Sequence, residues 1–259
     1  MNEKLRAKIA ADETAYGLWV TMESPAVIEI AAELGLDWVV IDLEHGYLSY
    51  EHVANHLRAA KGTDLSVIVR VPSHDLEPTK RVLDLGAHGL VVPLVRSAAD
   101  VEQIQKYAYY PPRGERGLGG ERNVRWGLGL EDYIKRANDE IMIFPMIEVK
   151  EATAAFDDII ALDQVEAVVF GPGDLSSSYG HIGQWEAPGV GEEILELVGR
   201  AKAKGIASAV VARNADDVVA RRDQGFGMVA LGSDAGMIVR HVSDIGKALG
   251  HSTIDHRWF

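Results

Sequence analysis

Two carboxylates in the middle of the chain follow apolar runs. Glu148 comes directly after the run 141–147, and Asp174 follows the run 166–170 and a Gly-Pro-Gly turn. Acidic side chains are seldom placed at the end of buried segments without a partner. If the two runs are neighbouring strands of a parallel barrel, their carboxyl ends face one mouth, where two hard oxygen ligands would meet. The pair therefore predicts half of a Mg²⁺ or Mn²⁺ site.

Other predicted strand ends carry side chains that could act on a substrate at the same mouth. Trp19 closes the first predicted strand, Arg70 closes the third, and Asp42, Glu44 and His45 follow the second. His45 is the best candidate base among nine histidines, with a structural hydrogen-bonding role as the alternative. Arg70 could bind a substrate carboxylate or stabilise an oxyanion, or it could form a structural ion pair with Glu44 or Asp42.

The turn before Asp174 offers close backbone approach and free N–H groups beside the predicted metal site. Because Pro172 has no N–H group, the amides of Gly173 and Asp174 are the predicted contacts for a small carboxylate. A Schiff-base enzyme would instead need a desolvated lysine at the mouth, and only Lys150 lies near a predicted strand end. Electron withdrawal is therefore expected to come from a metal.

The elements that would position these residues alternate along the whole chain. The predicted strands are 16–21, 38–43, 66–71, 89–94, 141–147, 166–170, 206–211 and 228–231. The predicted helices are 24–34, 50–61, 77–85, 98–107, 150–161, 191–204, 214–223 and 235–248. Consecutive βα units of this kind predict one α/β domain over residues 1–259, a (β/α)8 TIM barrel.

Two segments fall outside this pattern. The segment at about 109–138 is too long for an ordinary connection, so it is either a disordered insertion or a loop that covers a site or docks onto a neighbouring subunit. The short C-terminal tail 251–259 has no predicted role beyond two alternatives, aromatic anchoring at a subunit contact or a loose end.

Composition narrows the class of function. The chain has 26 basic and 39 acidic residues, a formal charge of −13 and no Lys/Arg cluster, so neither nucleic acid nor an anionic membrane is an expected partner. The absence of cysteine excludes disulfides, thiolate metal sites and a Cys nucleophile. The first residues lack the apolar core of a signal peptide, and no run approaches the about 18 apolar residues of a membrane span, so we expect a cytoplasmic protein.

Several short motifs at the predicted strand and helix ends match one family. They are Gly17-Leu-Trp19, Asp42-Leu-Glu44-His45, Val69-Arg70-Val71-Pro72, Leu83-Asp84-Leu-Gly-Ala87, Tyr110-Pro-Pro-Arg-Gly114, Ile147-Glu148 and Gly171-Pro-Gly-Asp174-Leu-Ser176. In these motifs, and over roughly residues 5–250, the chain resembles the HpcH/HpaI class II pyruvate aldolases. That family includes 4-hydroxy-2-oxoheptanedioate and 2-keto-3-deoxy sugar acid aldolases.

The resemblance implies a role for most of the polar residues at the mouth. It implies that Glu148 and Asp174 bind a divalent metal, Mg²⁺, Mn²⁺ or Co²⁺, with no organic cofactor. It also implies that the amides of Gly173 and Asp174 hold the pyruvate carboxylate, that Arg70 stabilises the enolate, and that His45 is the catalytic base.

The remaining site residues would support these groups. The resemblance implies that Asp84 increases the basicity of the catalytic histidine, although by spacing alone Asp84 looks like a solvated acid. Trp19 is expected to shape the aldehyde pocket together with the 109–138 segment, and Asp42 and Glu44 are expected behind the substrate contacts. The chain departs from the family at Met146, where members often carry Gln, so a polar contact to the substrate is absent or replaced.

The resulting hypothesis is a metal-dependent carbon–carbon lyase. It would make or cleave 4-hydroxy-2-oxo acids, giving pyruvate or hydroxypyruvate and an aldehyde through a metal-bound enolate. The alternatives are a carbon–carbon lyase acting on a CoA thioester and a non-catalytic protein that binds ketoacids. The resemblance further implies a homo-oligomer, a hexamer built as a dimer of trimers, with the eighth barrel helix exchanged between subunits.

Overall fold

The computed structural model of the protein, which describes residues 2–250, is a closed barrel of eight parallel strands. The strands are β1 (Ala15–Val20), β2 (Trp38–Asp42), β3 (Ser66–Arg70), β4 (Gly89–Val92), β5 (Met142–Ile147), β6 (Ala167–Phe170), β7 (Ala207–Val211) and β8 (Met228–Ser233). They follow one another around the barrel in chain order, and β8 closes onto β1. The predicted α/β class and (β/α)8 fold are therefore confirmed.

Helices surround the barrel and occupy the connections between strands. The α-helices are α1 (Glu3–Ala10), α2 (Pro25–Glu33), α3 (Tyr50–Ala59), α4 (Leu76–Leu85), α5 (Ala98–Ala108), α6 (Leu130–Glu140), α7 (Lys150–Ala154), α8 (Phe156–Ile159), α9 (Pro172–Ser178), α10 (Val190–Ala203), α11 (Ala215–Asp223) and α12 (Asp234–Ala248). A single turn of 3-10 helix spans Arg122–Val124. Among residues 2–250, no helix has both the length and the apolar character needed to cross a lipid bilayer.

Alternation along the strands builds the interior of the barrel and points polar groups at its mouth. Trp38 and Val40 on β2 and Ile68 on β3 belong to the core inside the barrel. Because every second residue of a strand faces the same side, the next members of these two rows are Asp42 and Arg70. Both lie at the carboxyl ends of their strands. The same alternation that fills the core therefore positions the polar residues above it.

Helix α1 closes the opposite, amino-terminal end of the barrel. Its Leu5 side chain is fully buried and joins the interior core. Two contacts hold the helix in place: Arg6 Nε donates to Glu166 Oε2 at 2.9 Å, and Lys8 Nζ lies 2.8 Å from Asp37 Oδ2. Substrate access is thus left to the carboxyl end.

The segment at 109–138 is folded, not a disordered insertion. It contains the 3-10 turn and most of α6, and the guanidinium of the buried Arg116 packs over the rings of Tyr110 and Tyr133. Arg116 also pairs with Asp84 of α4 at 2.9 Å. Arg122, Arg125 and Trp126 line a cavity with residues that precede β3 and β4, which puts this part of the segment at the amino-terminal end of the barrel. No residue of the segment lines the cavity at the mouth of its own barrel, and docking onto a neighbouring subunit stays a prediction.

The last helix leaves an apolar face uncovered. Ile238, Val242, Ile245 and Leu249 follow one another at helical spacing and are 54%, 61%, 48% and 69% exposed. Of the described α12 side chains, only those near its start are buried. A surface helix normally turns such a stripe towards a core. The exchange of this helix between subunits stays a prediction, and the exposed stripe is consistent with it.

Candidate active site

A cavity of about 370 Å³ opens at the carboxyl end of the barrel. Small-molecule sites in barrels are expected at this end, and the cavity lies within the usual size range for such sites. The predicted site residues that line it are Trp19, Asp42, His45, Arg70, Gly173 and Asp174. Glu44 and Glu148 contact Arg70 from behind this surface. The structure therefore brings together residues from five different strand ends.

Arg70 is the centre of the polar cluster. Its buried guanidinium forms an ion pair with Glu44 and lies 3.4 Å from Asp42 Oδ2 and 3.6 Å from Glu148 Oε2. The guanidinium carbon also lies 5.9 Å from the centre of the Trp19 ring. The structural ion pair considered from the sequence is present, and it orients the guanidinium. One arginine facing three carboxylates leaves the cluster with excess negative charge.

Asp42 organises the turn that carries the candidate base. Its Oδ1 accepts hydrogen bonds from the backbone N–H groups of Glu44 at 2.9 Å and His45 at 3.0 Å. Its Oδ2 accepts from Trp19 Nε1 at 2.9 Å. A buried carboxylate with several donors holds its neighbours in one arrangement. The His45 side chain is 66% exposed, so its ring remains accessible to a molecule in the cavity.

Glu148 is the most constrained acid of the site. Its carboxylate is 1% exposed, and Oε1 accepts from the backbone N–H of Leu94 at 2.6 Å. Leu94 reaches this position with φ of 49°, a conformation that costs a branched residue energy. The second oxygen, Oε2, is buried and has no hydrogen-bond partner among the described residues. The strained turn thus fixes one oxygen and leaves the other available.

Electrostatics around Glu148 favour the arrival of a cation. Burial raises the pKa of Glu148, and the negative charges of Asp174 and Glu44 raise it further, against the opposing effect of Arg70 and the Leu94 amide. Burial likewise raises the pKa of Glu44. A desolvated carboxylate among like charges gains most from a positive partner. Glu148 and Asp174 are therefore the residues that could hold a divalent metal.

The protein alone supplies few ligands for a metal ion. Residues 2–250 contain no group of three or more His, Asp or Glu side chains arranged to hold a metal ion. Mg²⁺ and related ions commonly keep waters and take one or two carboxylates together with substrate oxygens. The acid pair fits that kind of open site, and it does not fit a closed structural site.

The turn between β6 and α9 lies against Glu148. Helix α9 begins at Pro172, which places the amides of Gly173 and Asp174 in its first turn, where N–H groups have no partner within the helix. A Cβ on Gly171 would lie 2.9 Å from Cβ and Oε2 of Glu148 and 2.9 Å from Cε of Met146. Only glycine allows this approach. Met146 lines the cavity with an apolar surface.

Asp84 does not join the cluster within one subunit. It lies in the last turn of α4, near the amino-terminal end of the barrel, and its carboxylate is paired with Arg116. It is not among the residues that line the cavity, and no contact with His45 is present in the described part of the chain. Its predicted effect on the basicity of His45 therefore has no route inside a single subunit.

One wall of the cavity was missed in the sequence. It is formed by Trp185, Arg213 and Arg240 together with the smaller residue Thr21. Arg213 lies two residues after β7, so the strand-end rule could have found it. Arg240 lies inside α12, and Trp185 lies in a long loop, where no local pattern marks a residue as part of a site.

Comparison with known proteins identifies the family. The model for the HpcH/HpaI aldolase/citrate lyase family matches residues 15–241. A 4-hydroxy-2-oxovalerate aldolase from Novosphingobium aromaticivorans is 35% identical over 240 residues, which cover 92% of this chain and 91% of that protein. A hydroxypyruvate/pyruvate aldolase from Sagittula stellata is 32% identical over 236 residues, covering 91% and 93%. The solved structure of citrate synthase SbnG is 32% identical with a TM-score of 0.83, covering 96% of this chain and 97% of that one.

Matches of this extent confirm both the resemblance in the motifs and the prediction of an enzyme, a carbon–carbon lyase of the aldolase type. The family match extends from β1 into α12 and so includes every strand that contributes to the cavity. The chain belongs to the HpcH/HpaI aldolase/citrate lyase family.

Proposed function

We propose that the protein is a divalent-metal-dependent aldolase that makes or cleaves 4-hydroxy-2-oxo acids, with pyruvate or hydroxypyruvate and an aldehyde as the partners. The observation that carries the proposal is the Glu148 carboxylate, which is buried, fixed by a hydrogen bond through one oxygen and without a hydrogen bond through the other, beside the charge of Asp174. A positive ion bound there would offset a cost of burial that Arg70 and the Leu94 amide compensate only in part. The aldolase relatives support the reaction class.

Glu148 and Asp174 would hold the metal, and Mg²⁺, Mn²⁺ and Co²⁺ all suit two carboxylates completed by oxygen ligands from substrate and water. When bound, the cation supplies electron withdrawal from the 2-oxo group. The amides of Gly173 and Asp174 would bind the carboxylate of the oxo acid. That contact fixes which end of the substrate faces the acidic cluster.

Arg70 and His45 would act on the reacting atoms. Arg70 is held by Asp42 and Glu44, so its guanidinium can stabilise negative charge on the 2-oxo oxygen without reorganising. In the cleavage direction, a ring nitrogen of His45 would take the proton from the 4-hydroxyl group. In the synthetic direction, the same nitrogen would donate a proton to the oxygen of the aldehyde, which becomes the 4-hydroxyl group. Trp19 would form the wall beside them. Asp84 could tune His45 only from another copy of the chain.

The distribution of lysines supports this mechanism over a Schiff base. The described residues that line the cavity include no lysine. Lys150, the one candidate in the sequence, places its ammonium group 4.4 Å from the centre of the Tyr179 ring, outside the cavity lining. A lysine outside the cavity lining is not placed to attack the 2-oxo group of a bound substrate.

The test is pyruvate release from a 4-hydroxy-2-oxo acid by metal-stripped protein, before and after addition of Mn²⁺ or Mg²⁺, with a borohydride-trapping control. We expect activity that depends on the metal and is unaffected by borohydride. Activity without metal that borohydride destroys would refute the mechanism and point to Lys150. No activity with any metal, across acceptors of several lengths, would favour a non-catalytic ketoacid-binding role.

A second candidate function is a carbon–carbon lyase acting on a CoA thioester. The similarity to citrate synthase SbnG over nearly the whole chain favours keeping it. Incubation with thioester substrates under the same metal conditions separates the two candidates. Cleavage of a hydroxyacyl-CoA to a shorter acyl-CoA and an oxo acid, in the absence of aldol activity, would replace the aldolase proposal.

The proposal includes assembly of the protein with copies of itself in the cytoplasm. The exposed stripe of α12 needs a cover, and a neighbouring barrel that receives this helix would provide one. The hexamer of the family, a dimer of trimers with the last helix exchanged, is the expected form.

A further inference from the structure

A single peptide group, between Pro93 and Leu94, connects a histidine of the β3 loop to Glu148. On one side of this peptide, the Leu94 N–H donates to Glu148 Oε1 at 2.6 Å. On the other side, Nε2 of the half-buried His74 donates to the carbonyl oxygen of Pro93. His74 lies four residues after the end of β3, Pro93 directly follows β4, and Glu148 directly follows β5. The contacts therefore link three neighbouring strand ends at the mouth of the barrel.

The turn at Leu94 depends on these hydrogen bonds. Leu94 has φ of 49°, a left-handed conformation that is unfavourable for a residue with a Cβ. Its side chain is 44% exposed, so burial of the leucine offsets only part of that cost. The two hydrogen bonds fix the plane of the 93–94 peptide from both sides, and a rotation of this plane would turn the N–H away from Glu148. His74 therefore opposes the relaxation that would release the carboxylate.

The hydrogen bond from His74 also strengthens the one that reaches Glu148. A carbonyl oxygen can only accept hydrogen bonds, so the ring of His74 carries a proton on Nε2. A donor at the carbonyl oxygen polarises the peptide and makes the N–H on its other side a better donor. The carboxylate that receives this N–H is buried, and a hydrogen bond is stronger there than in water. His74 thus acts on Glu148 without touching it.

The carboxyl end of β3 organises both oxygens of Glu148. Arg70, the last residue of β3, lies 3.6 Å from Oε2, whereas His74 acts on Oε1 through the peptide. Residues that hydrogen-bond to a metal ligand from behind fix its orientation, and their loss typically costs about 10- to 100-fold in metal affinity or activity. Because a peptide separates His74 from the ligand, the lower end of that range applies to it.

We propose that His74 is a positioning residue of the active site, which holds the Glu148 carboxylate through the 93–94 peptide in the orientation that receives the metal. The inference rests on the proposed function, since it gives His74 a role towards a metal ligand. His74 does not line the cavity, so its effect on the site passes through the peptide.

The test compares His74→Leu, which removes the donor, with His74→Gln, whose amide N–H can replace it. Mn²⁺ affinity is measured by electron paramagnetic resonance, and hydrogen exchange at the Leu94 amide is measured in the metal-free protein. For His74→Leu we expect Mn²⁺ affinity to fall by about 10-fold and exchange at Leu94 to be roughly 5- to 10-fold faster. His74→Gln should recover most of both. Turnover at saturating Mn²⁺ should fall less than Mn²⁺ affinity does, because His74 acts on the metal ligand and not on the substrate.

Two further variants identify the cause of the loss. Tyr50→Phe is the matched control, because it removes a hydrogen bond to Glu77 in the first turn of α4 and leaves the 93–94 peptide untouched. It should leave Mn²⁺ affinity and exchange at Leu94 unchanged. In a Leu94→Gly background, the effect of His74→Leu on Mn²⁺ affinity should be smaller, since glycine adopts a positive φ without a steric penalty.

The outcomes separate this role of His74 from the proposed function. Wild-type Mn²⁺ affinity and wild-type exchange at Leu94 in His74→Leu would refute the positioning role and leave the aldolase function standing. An equal loss of affinity in His74→Gln and His74→Leu would do the same, because the missing donor would not be its cause. Absence of Mn²⁺ binding by the wild-type protein would refute the proposed function, and with it any role of His74 towards a metal, whatever the exchange at Leu94.

Discussion

Gly171→Ala should damage the active site without removing any polar group. The new Cβ would lie 2.9 Å from Cβ and Oε2 of Glu148 and from Cε of Met146, closer than real Cβ contacts allow. Met146 can swing away because its side chain is flexible. Glu148 cannot, because its Cβ is fixed at the end of β5 and its Oε1 is bound to the Leu94 amide. The carboxylate must move, or the backbone of Gly171 must move away from β5.

Both responses have a cost that can be stated in advance. Overpacking of this kind destabilises a fold by about 1–3 kcal/mol. Displacement of a catalytic group by about 1 Å can lower the rate by about 100-fold. We therefore expect Gly171→Ala to lower kcat for pyruvate release by about two orders of magnitude and to weaken Mn²⁺ binding, with a moderate loss in the free energy of unfolding.

The assay combines pyruvate release, Mn²⁺ binding followed by electron paramagnetic resonance, and urea unfolding. Gly199→Ala is the matched control, since Gly199 lies in the exposed interior of α10 and a Cβ there meets nothing within 4 Å. That change should stabilise the protein by about 1 kcal/mol and leave kcat unchanged. Wild-type kcat and wild-type Mn²⁺ affinity in Gly171→Ala would refute the assignment of Glu148 as a positioned metal ligand.

Two further predictions concern stability and assembly. Burial and the charge of Arg122 lower the pKa of His88 to about 4 from the ordinary value of 6.5. The unfolded chain therefore binds a proton at a higher pH than the folded protein does. The free energy of unfolding should fall by about 3 kcal/mol as the pH drops from 6.5 to about 4. His88→Asn keeps an acceptor for the Val67 N–H and should remove that part of the pH dependence in urea unfolding; identical pH profiles for both proteins would contradict the prediction. Val242→Glu places a charge on the apolar face of α12 and should reduce the mass of the assembly in analytical ultracentrifugation, whereas Lys247→Glu on the opposite face should not; an unchanged mass in Val242→Glu would rule out a role for this face.

Local patterns were sufficient to predict the barrel and most of its mouth. Strand alternation and strand ends located Asp42, Arg70 and Glu148, because the scaffold converts position along a strand directly into position in space. The Gly-Pro-Gly punctuation before Asp174 suggested a turn, and the structure begins α9 there, since Pro is favoured in the first turn of a helix.

Long-range contacts could not be predicted in the same way. The unpaired oxygen of Glu148 depends on which oxygen Leu94 binds, and Leu94 lies more than fifty residues away, at the end of β4. By spacing alone Asp84 was expected to be a solvated acid, but in the structure it pairs with Arg116. Arg116 belongs to the 109–138 segment, whose fold no local sequence pattern indicates. Arg240 reaches the cavity from inside a helix. Each of these positions is set by tertiary packing that no short window of sequence contains.

The proposed mechanism requires Glu148 to be a metal ligand whose charge is needed for catalysis. The most direct measurement is Mn²⁺ binding and pyruvate release by Glu148→Gln, beside Glu196→Gln, a control at an exposed position of α10. Gln can still accept the Leu94 hydrogen bond, so the fold should survive. We expect a folded Glu148→Gln protein without measurable Mn²⁺ binding or pyruvate release and an unaltered control. Wild-type binding and turnover in Glu148→Gln would contradict it.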